Sequence, residues 1–181
     1  MILEIYVSHM SSTSNSENLP EPFPITPDDV EAADWGKRDP EIIETFDDGG
    51  FVVKFRYSGR SYEPLSGAMY YVPPADTIPE GEENMPWQDW YKVSGLYRRN
   101  ERERRALIIG RLNERTGFFH EGTGLSENVV PISVAVDGQK AIAAYLFAMQ
   151  QRSTQDIAES MDKSQQTIRQ YLSDYKAGRT G

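Results

Sequence analysis

The run Ser153-Thr154-Gln155-Asp156-Ile157-Ala158-Glu159-Ser160-Met161-Asp162-Lys163-Ser164-Gln165-Gln166-Thr167-Ile168-Arg169-Gln170-Tyr171-Leu172 constrains the fold of this chain more than any other. Ser153 suits the N-cap of a short helix, with Asp156 three residues on completing a capping arrangement. That helix turns Ile157, Ala158 and Met161 to one side. Asp162-Lys163 is a tight turn, and Ser164 caps a second helix, over 164–173, that buries Ile168 and Leu172 with Tyr171 beside them. Two helices crossing steeply over so short a turn need a small side chain where they touch, and Ala158 is that side chain. Ahead of them, Ala141, Ile142, Tyr145, Leu146 and Met149 recur at three- and four-residue steps, which predicts an amphipathic helix with Asp137 as its N-cap. Ile157, Met161 and Ile168 are expected to seal against it through Ile142 and Leu146.

The segment resembles the helix-turn-helix of prokaryotic regulators, including sigma-region-4-like tri-helical forms and archaeal plasmid- or virus-encoded ones. Ile157-Ala158, Met161, Ser164, Thr167-Ile168 and Leu172 match that pattern, whereas Asp162 stands in place of the usual turn Gly and Lys163 in place of an apolar residue. The likeness spans about a quarter of the chain. It implies that the second helix enters a major groove about 12 Å wide. Gln165, Gln166, Arg169 and Gln170 would then reach base edges, Gln pairing with adenine and Arg with guanine. Ser153, Thr154, Ser164 and Thr167 suit phosphate contacts at the helix N-termini, and Lys163, Lys176 and Arg179 add positive charge.

A net charge of −9 argues against nucleic acid until it is divided along the chain. Residues 1–97 hold 6 Lys and Arg against 18 Asp and Glu, whereas 98–115 hold 7 against 3 and 138–181 hold 6 against 4. Phosphate affinity follows local cations, so the acidic N-terminal half does not exclude DNA. The 13 Arg, 6 Lys and absence of Cys, with many acids, resemble the composition of proteins from salt-loving archaea. Lack of Cys also removes disulfides and thiolate metal sites, and fits a cytoplasmic protein. No apolar run approaches the roughly 18 residues of a membrane helix.

Residues 1–9 read as an upstream extension before a second Met at position 10. A Ser/Asn- and Pro-rich tract follows, and the tail over 1–29 is expected to be disordered, while 28–35 fits one short acidic turn of helix. Strands are expected at 42–46, 51–57 and 68–72, separated by the turns Asp47-Asp48-Gly49-Gly50 and Ser58-Gly59-Arg60. Residues 73–86 read as an acidic loop. The stretch Arg98–Arg115 fits either a helix closed by Gly117 or a hairpin turning at Asn100-Glu101-Arg102-Glu103, with Leu107-Ile108-Ile109 as a buried strand. Its arginines are either a solvated face interleaved with Glu or auxiliary phosphate contacts. Val129–Val136, with Pro131, reads as extended.

The chain is therefore expected to be α+β: a disordered tail (1–29), a β-rich domain (30–128) and a tri-helical DNA-binding domain (129–181). Trp35, Trp87, Trp90 and the tyrosines near 70 belong to the N-terminal core rather than to a ligand cage. His9 and His120 have no metal-ligand spacing and no Ser/His/Asp partners, and Gly122-Thr123-Gly124-Leu125 lacks the Lys-Ser/Thr of a phosphate loop, so neither an enzyme nor a cofactor is expected. The implied function is sequence-specific binding of double-stranded DNA in transcription regulation. The competing readings are a helical hairpin that contacts protein and an accessory factor of plasmid or viral replication. A single unwinged unit covers few base pairs, which implies a homodimer on a pseudo-palindromic site, joined through the aromatic-rich β region.

Overall fold

The structure, a computed structural model, describes residues 26–57, 68–75, 90–93, 99–121 and 129–179. Most of the expected tail, the turn at 58–60, most of the acidic loop, Trp87 and the 122–125 loop lie outside the described residues. The fold is mixed α+β, with a four-stranded antiparallel sheet and, among the described residues, six α-helices. It divides into two compact units, one of residues 1–45 and 49–92, the other of 46–48 and 93–181.

In the first unit, α1 (Pro27–Ala32) begins inside the stretch expected to be disordered. Thr26 caps it by accepting from the Asp29 N–H at 3.2 Å, and Pro27 with Asp28 and Asp29 fills the first turn. Proline's fixed φ and acidic side chains at the positive end of the helix favour that start. The sheet runs in the order β1 (Arg38–Thr45), β2 (Phe51–Tyr57), β3 (Met69–Val72), β4 (Tyr91–Lys92). β1 starts four residues earlier than the alternation suggested and contains Pro40, which an edge strand tolerates because one side of its backbone has no partner strand among the described residues. A register shift between Ile42 and Glu44 breaks its ladder, and β4, only two residues long, carries no sequence pattern of its own.

Alternation along β2 sends Phe51, Val53 and Phe55 to one face, where they pack with Val30, Trp35, Tyr70, Val72 and Trp90. Trp35 and Phe55 meet edge-on with centroids 4.7 Å apart, and Trp35 Nε1 donates to the Val30 carbonyl at 2.8 Å. Trp35, Tyr70, Tyr71 and Trp90 are thus core residues, as their sequence setting implied.

The second unit is helical. α2 (Arg99–Thr116) settles the open choice at 98–115 in favour of a helix, ended by Gly117 at φ +63°. Val129–Val136 is not extended. Pro131 instead occupies the N-cap of α3 (Ile132–Asp137), a position that does not need its missing N–H. Asp137 ends α3, and the N-cap of α4 (Gln139–Ala148) is Gly138 at φ +108°, an angle that favours glycine. α4 is not amphipathic with one buried face. Ala141, Ala143, Ala144 and Ala148 give it slim sides, and it packs against α2, α3, α5 (Thr154–Met161) and α6 (Gln165–Lys176). The domain boundary expected near 129 therefore falls inside a compact unit, because α2 packs on both α4 and α6.

The segment 46–48 belongs to this unit. The Asp47 N–H donates to Glu114 Oε1 at 2.8 Å, and the Arg111 guanidinium lies 5.1 Å from the centre of the buried Phe46 ring. A Cβ built at Gly110 would overlap that ring. Helix propensity alone would make Gly110→Ala favourable by about 1 kcal/mol. The overlap reverses the sign, and we expect a net loss of about 1–3 kcal/mol, read as a lower denaturant midpoint with unchanged slope.

Candidate nucleic-acid interface

Two serine caps define the pair α5–α6. Ser153 Oγ accepts from the Asp156 N–H at 3.1 Å and donates to the Asp156 carboxylate at 2.7 Å. Ser164 Oγ accepts from the Thr167 N–H at 3.0 Å and lies 2.8 Å from Thr167 Oγ1. Between the helices Asp162 adopts the left-handed conformation, φ +52° and ψ +51°, and the Lys163 N–H closes on the Ala158 carbonyl at 3.0 Å. Asp is among the few non-glycine residues that enter this region at modest cost, which is how it replaces a glycine here. The preceding link from α4 to α5 also passes through a left-handed residue, Gln151 at φ +55°.

Ile157, Ile168 and Leu172 are completely buried and Ala158 nearly so, while Met161 and Tyr171 are half-buried. Tyr175, which the sequence reading passed over, completes the buried stripe, and α6 runs to Lys176 rather than ending at 173. Leu172 and Tyr175 are three residues apart and share a helix face, so the signal was present but masked by the polar residues around it.

Gln165, Gln166, Arg169 and Gln170 are exposed on α6. Gln165 Nε2 donates to Thr154 Oγ1 at 2.9 Å, tying the first residues of the two helices together. Gln170 Nε2 donates to Asp174 Oδ1 at 2.8 Å. Arg179 Nε stands 3.6 Å from the same oxygen, and Lys140 Nζ is 3.3 Å from Oδ2. These donors, Gln170 first and Lys140 next, hold the Asp174 carboxyl below the usual carboxylate range. The side chains of Gln166, Arg169, Lys163 and Lys176 are exposed and have no hydrogen-bond or ion-pair partner among the described residues. Lys176 sits at the opposite end of α6 from Gln165, about 16 Å along the axis. Ser153, Ser164 and Thr167 already serve as caps or cap partners, so of the hydroxyl residues only Thr154 stands outside a cap. The stretch Gln165–Ser173 contains no carboxylate.

The arginines of α2 are not a plain solvated face. Arg104 and Arg105 each lie 5.2 Å from the centre of the Phe147 ring, and burial lowers the Arg104 pKa. Arg111 pairs with Glu114 at 3.0 Å. Arg115 makes a two-pronged contact with Asp137, Nη2 to Oδ1 at 2.7 Å and Nε to Oδ2 at 3.1 Å. Tyr175 Oη donates to the same Asp137 Oδ2 at 2.9 Å. The C-terminal ends of three helices, α2, α3 and α6, meet at this carboxylate. The Arg115 hydrogen bond is the main cause of an Asp137 pKa below the usual range, with Tyr175 adding to it. Burial first and then Asp137 raise the Tyr175 pKa.

No family model, no curated protein and no solved structure matches this chain. Among the described residues there is no cluster of three His, Asp or Glu side chains that could hold a metal, and no helix is long and apolar enough to cross a membrane.

Because the folded-state pKa of Asp137 is depressed, its contribution to stability is complete above the unfolded carboxylate value of about 4 and is lost as pH falls through the lower folded value. Asp137→Asn is expected to cost about 1–2 kcal/mol at pH 7, discounted because the Arg115 side chain is 35% exposed. Unfolding curves of the two proteins should converge in acid. A gap that persists unchanged at pH 2 would show that charge is not its source.

Proposed function

We propose that the chain binds double-stranded DNA sequence-specifically, as a transcription regulator, by setting the N-terminal half of α6 in the major groove. The observation that carries this reading is the composition of the outward face. A merely solvated helix face usually carries Glu and Lys in alternation, whereas Gln165, Gln166, Arg169 and Gln170 present amides and one guanidinium with no carboxylate among them. Gln166 and Arg169 are three residues apart on one side of the helix and carry no internal partner among the described residues. Amide and guanidinium are the side-chain groups that pair bidentately with adenine and guanine edges.

Rigidity supports the same reading. Base readout needs side chains on a helix that does not move when the groove is entered, and α6 is packed on α2, α4 and α5. The bond from Gln165 to Thr154 fixes the mutual position of the helix N-termini, where phosphate oxygens are received by free N–H groups. Arg152 precedes the Ser153 cap and was not singled out in the sequence. It adds a cation beside the N-terminus of α5.

Arg169→Ala and Gln166→Ala should leave the melting temperature unchanged and lower affinity for the selected site by about 1–3 kcal/mol each, with relaxed preference at one base position. Lys163→Ala should weaken binding to all sequences alike and reduce the salt slope by about 1. Anisotropy titrations against the selected duplex and a scrambled one measure both. Binding by Arg169→Ala indistinguishable from wild type on the selected site would overturn the reading.

A further inference from the structure

Among the described residues, the large apolar side chains left exposed are Val129 at 55%, Ile132 at 78% and Val136 at 79%. All three lie on α3 or just before it. Ile132 and Val136 are four residues apart and so share a helix face, and Val129 lies in the coil just before the Pro131 N-cap. The aromatic residues of the sheet, expected from the sequence to join two copies, are instead consumed in the core of their own unit, Trp35, Phe51, Phe55 and Trp90 all being buried. We infer that the α3 face formed by Val129, Ile132 and Val136 is where a second copy of this chain docks, and that the pair forms efficiently only on DNA. The inference rests on the DNA-binding reading for its second half alone.

Charge favours a second copy as the occupant. Two copies of a chain with net charge −9 repel each other, and the segment 129–136 carries no charged residue at all, so it is a surface on which they can meet without juxtaposing like charges. It offers nothing to a cationic or anionic partner. Area sets the strength. Three such side chains expose on the order of 300 Å², so an isologous pair would bury roughly 600 Å² in total, about half of the smallest interface that holds a stable dimer. Such a contact is weak in free solution. It becomes effective when two copies sit on neighbouring half-sites at a local concentration in the millimolar range.

The position is compatible with that use. Asp137, the last residue of α3, bonds to Tyr175 near the C-terminal end of α6. Gln165 lies ten residues away along α6, about 15 Å. Docking on α3 thus lies at the end of α6 remote from Gln165 and Gln166.

The chain has no cysteine, so Val136→Cys supplies its only thiol. Gln155→Cys, exposed on α5, is the control. Treated without DNA with a short bis-maleimide at about 50 µM, the Val136→Cys protein should form covalent dimer at least about fivefold faster than the control, and adding Ile132→Asp should abolish the difference. Equal rates would overturn the inference whether or not the chain binds DNA. On duplexes carrying two half-sites one turn apart, wild type should bind at least about tenfold more tightly than to one half-site, and Ile132→Asp with Val136→Asp should remove that gain while leaving single-site affinity intact. A gain that survives both substitutions would equally overturn it. Failure of wild type to bind either duplex would instead overturn the proposed function and leave the crosslinking result to decide the docking face.

Discussion

Asp137 accepts two hydrogen bonds from the Arg115 guanidinium and one from the Tyr175 hydroxyl, and the arrangement of the helical unit depends on that carboxylate. α3 is only six residues long, Val134 is its one buried residue and its outer face is apolar and exposed, so length and burial alone hold it weakly. The ion pair ties its last residue to the end of α2, and the phenol ties both to the last turn of α6. Burial of Ile168, Leu172 and Tyr175 then fixes the rotation of α6 about its own axis. Once those three point inward, helical spacing leaves Gln165, Gln166 and Arg169 no direction but outward. The outward face is thus a consequence of the packing on its opposite side.

The parts of this fold that were legible in the sequence are those whose signal is local. Strand β2 follows from its alternation and from the Asp-Asp-Gly-Gly turn before it, with Gly49 at φ +92°, and β3 from its short apolar and aromatic run. α5 and α6 follow from Ser153 and Ser164, whose capping bonds need only three residues to form. The parts that were not legible depend on distant partners. Leu107-Ile108-Ile109 leaves helix and strand open, because the two isoleucines suit a buried strand as well as a helix. It is helical because α4 and α6 pack against α2 and because Gly110 makes room for Phe46. The α3 segment reads as extended because Pro131 biases the residue before it away from the helical region. Asp137 looks like a cap because Asp caps helices, and only the fold reveals that Arg115, 22 residues earlier, and Tyr175, 38 residues later, claim its oxygens.

The candidate site was legible in its outline and less so in its detail. Spacing alone marked the exposed residues of α6, but it could not separate those with partners from those without. Gln170 and Arg179 share Asp174, and Gln165 holds Thr154, leaving Gln166 and Arg169 as the side chains most available for a ligand. Hydroxyls at a helix start serve as caps before they serve as phosphate ligands, since an unpaired N–H there is costly. The basic run on α2 shows a similar division of labour. Its arginines cover Phe46 and Phe147 and anchor Asp137, uses that a count of charges cannot distinguish from a DNA-facing patch.

The central claim is that α6 reads base sequence. Incubating the purified full-length protein with a random-sequence duplex pool, over a range of salt concentrations, and sequencing the retained DNA tests it most directly. The account predicts enrichment of a short motif containing guanine and adenine positions spaced as Arg169 and Gln166 on one helix face, retained at salt where scrambled DNA is released. Retained DNA of random sequence, or none retained at any salt, would contradict it.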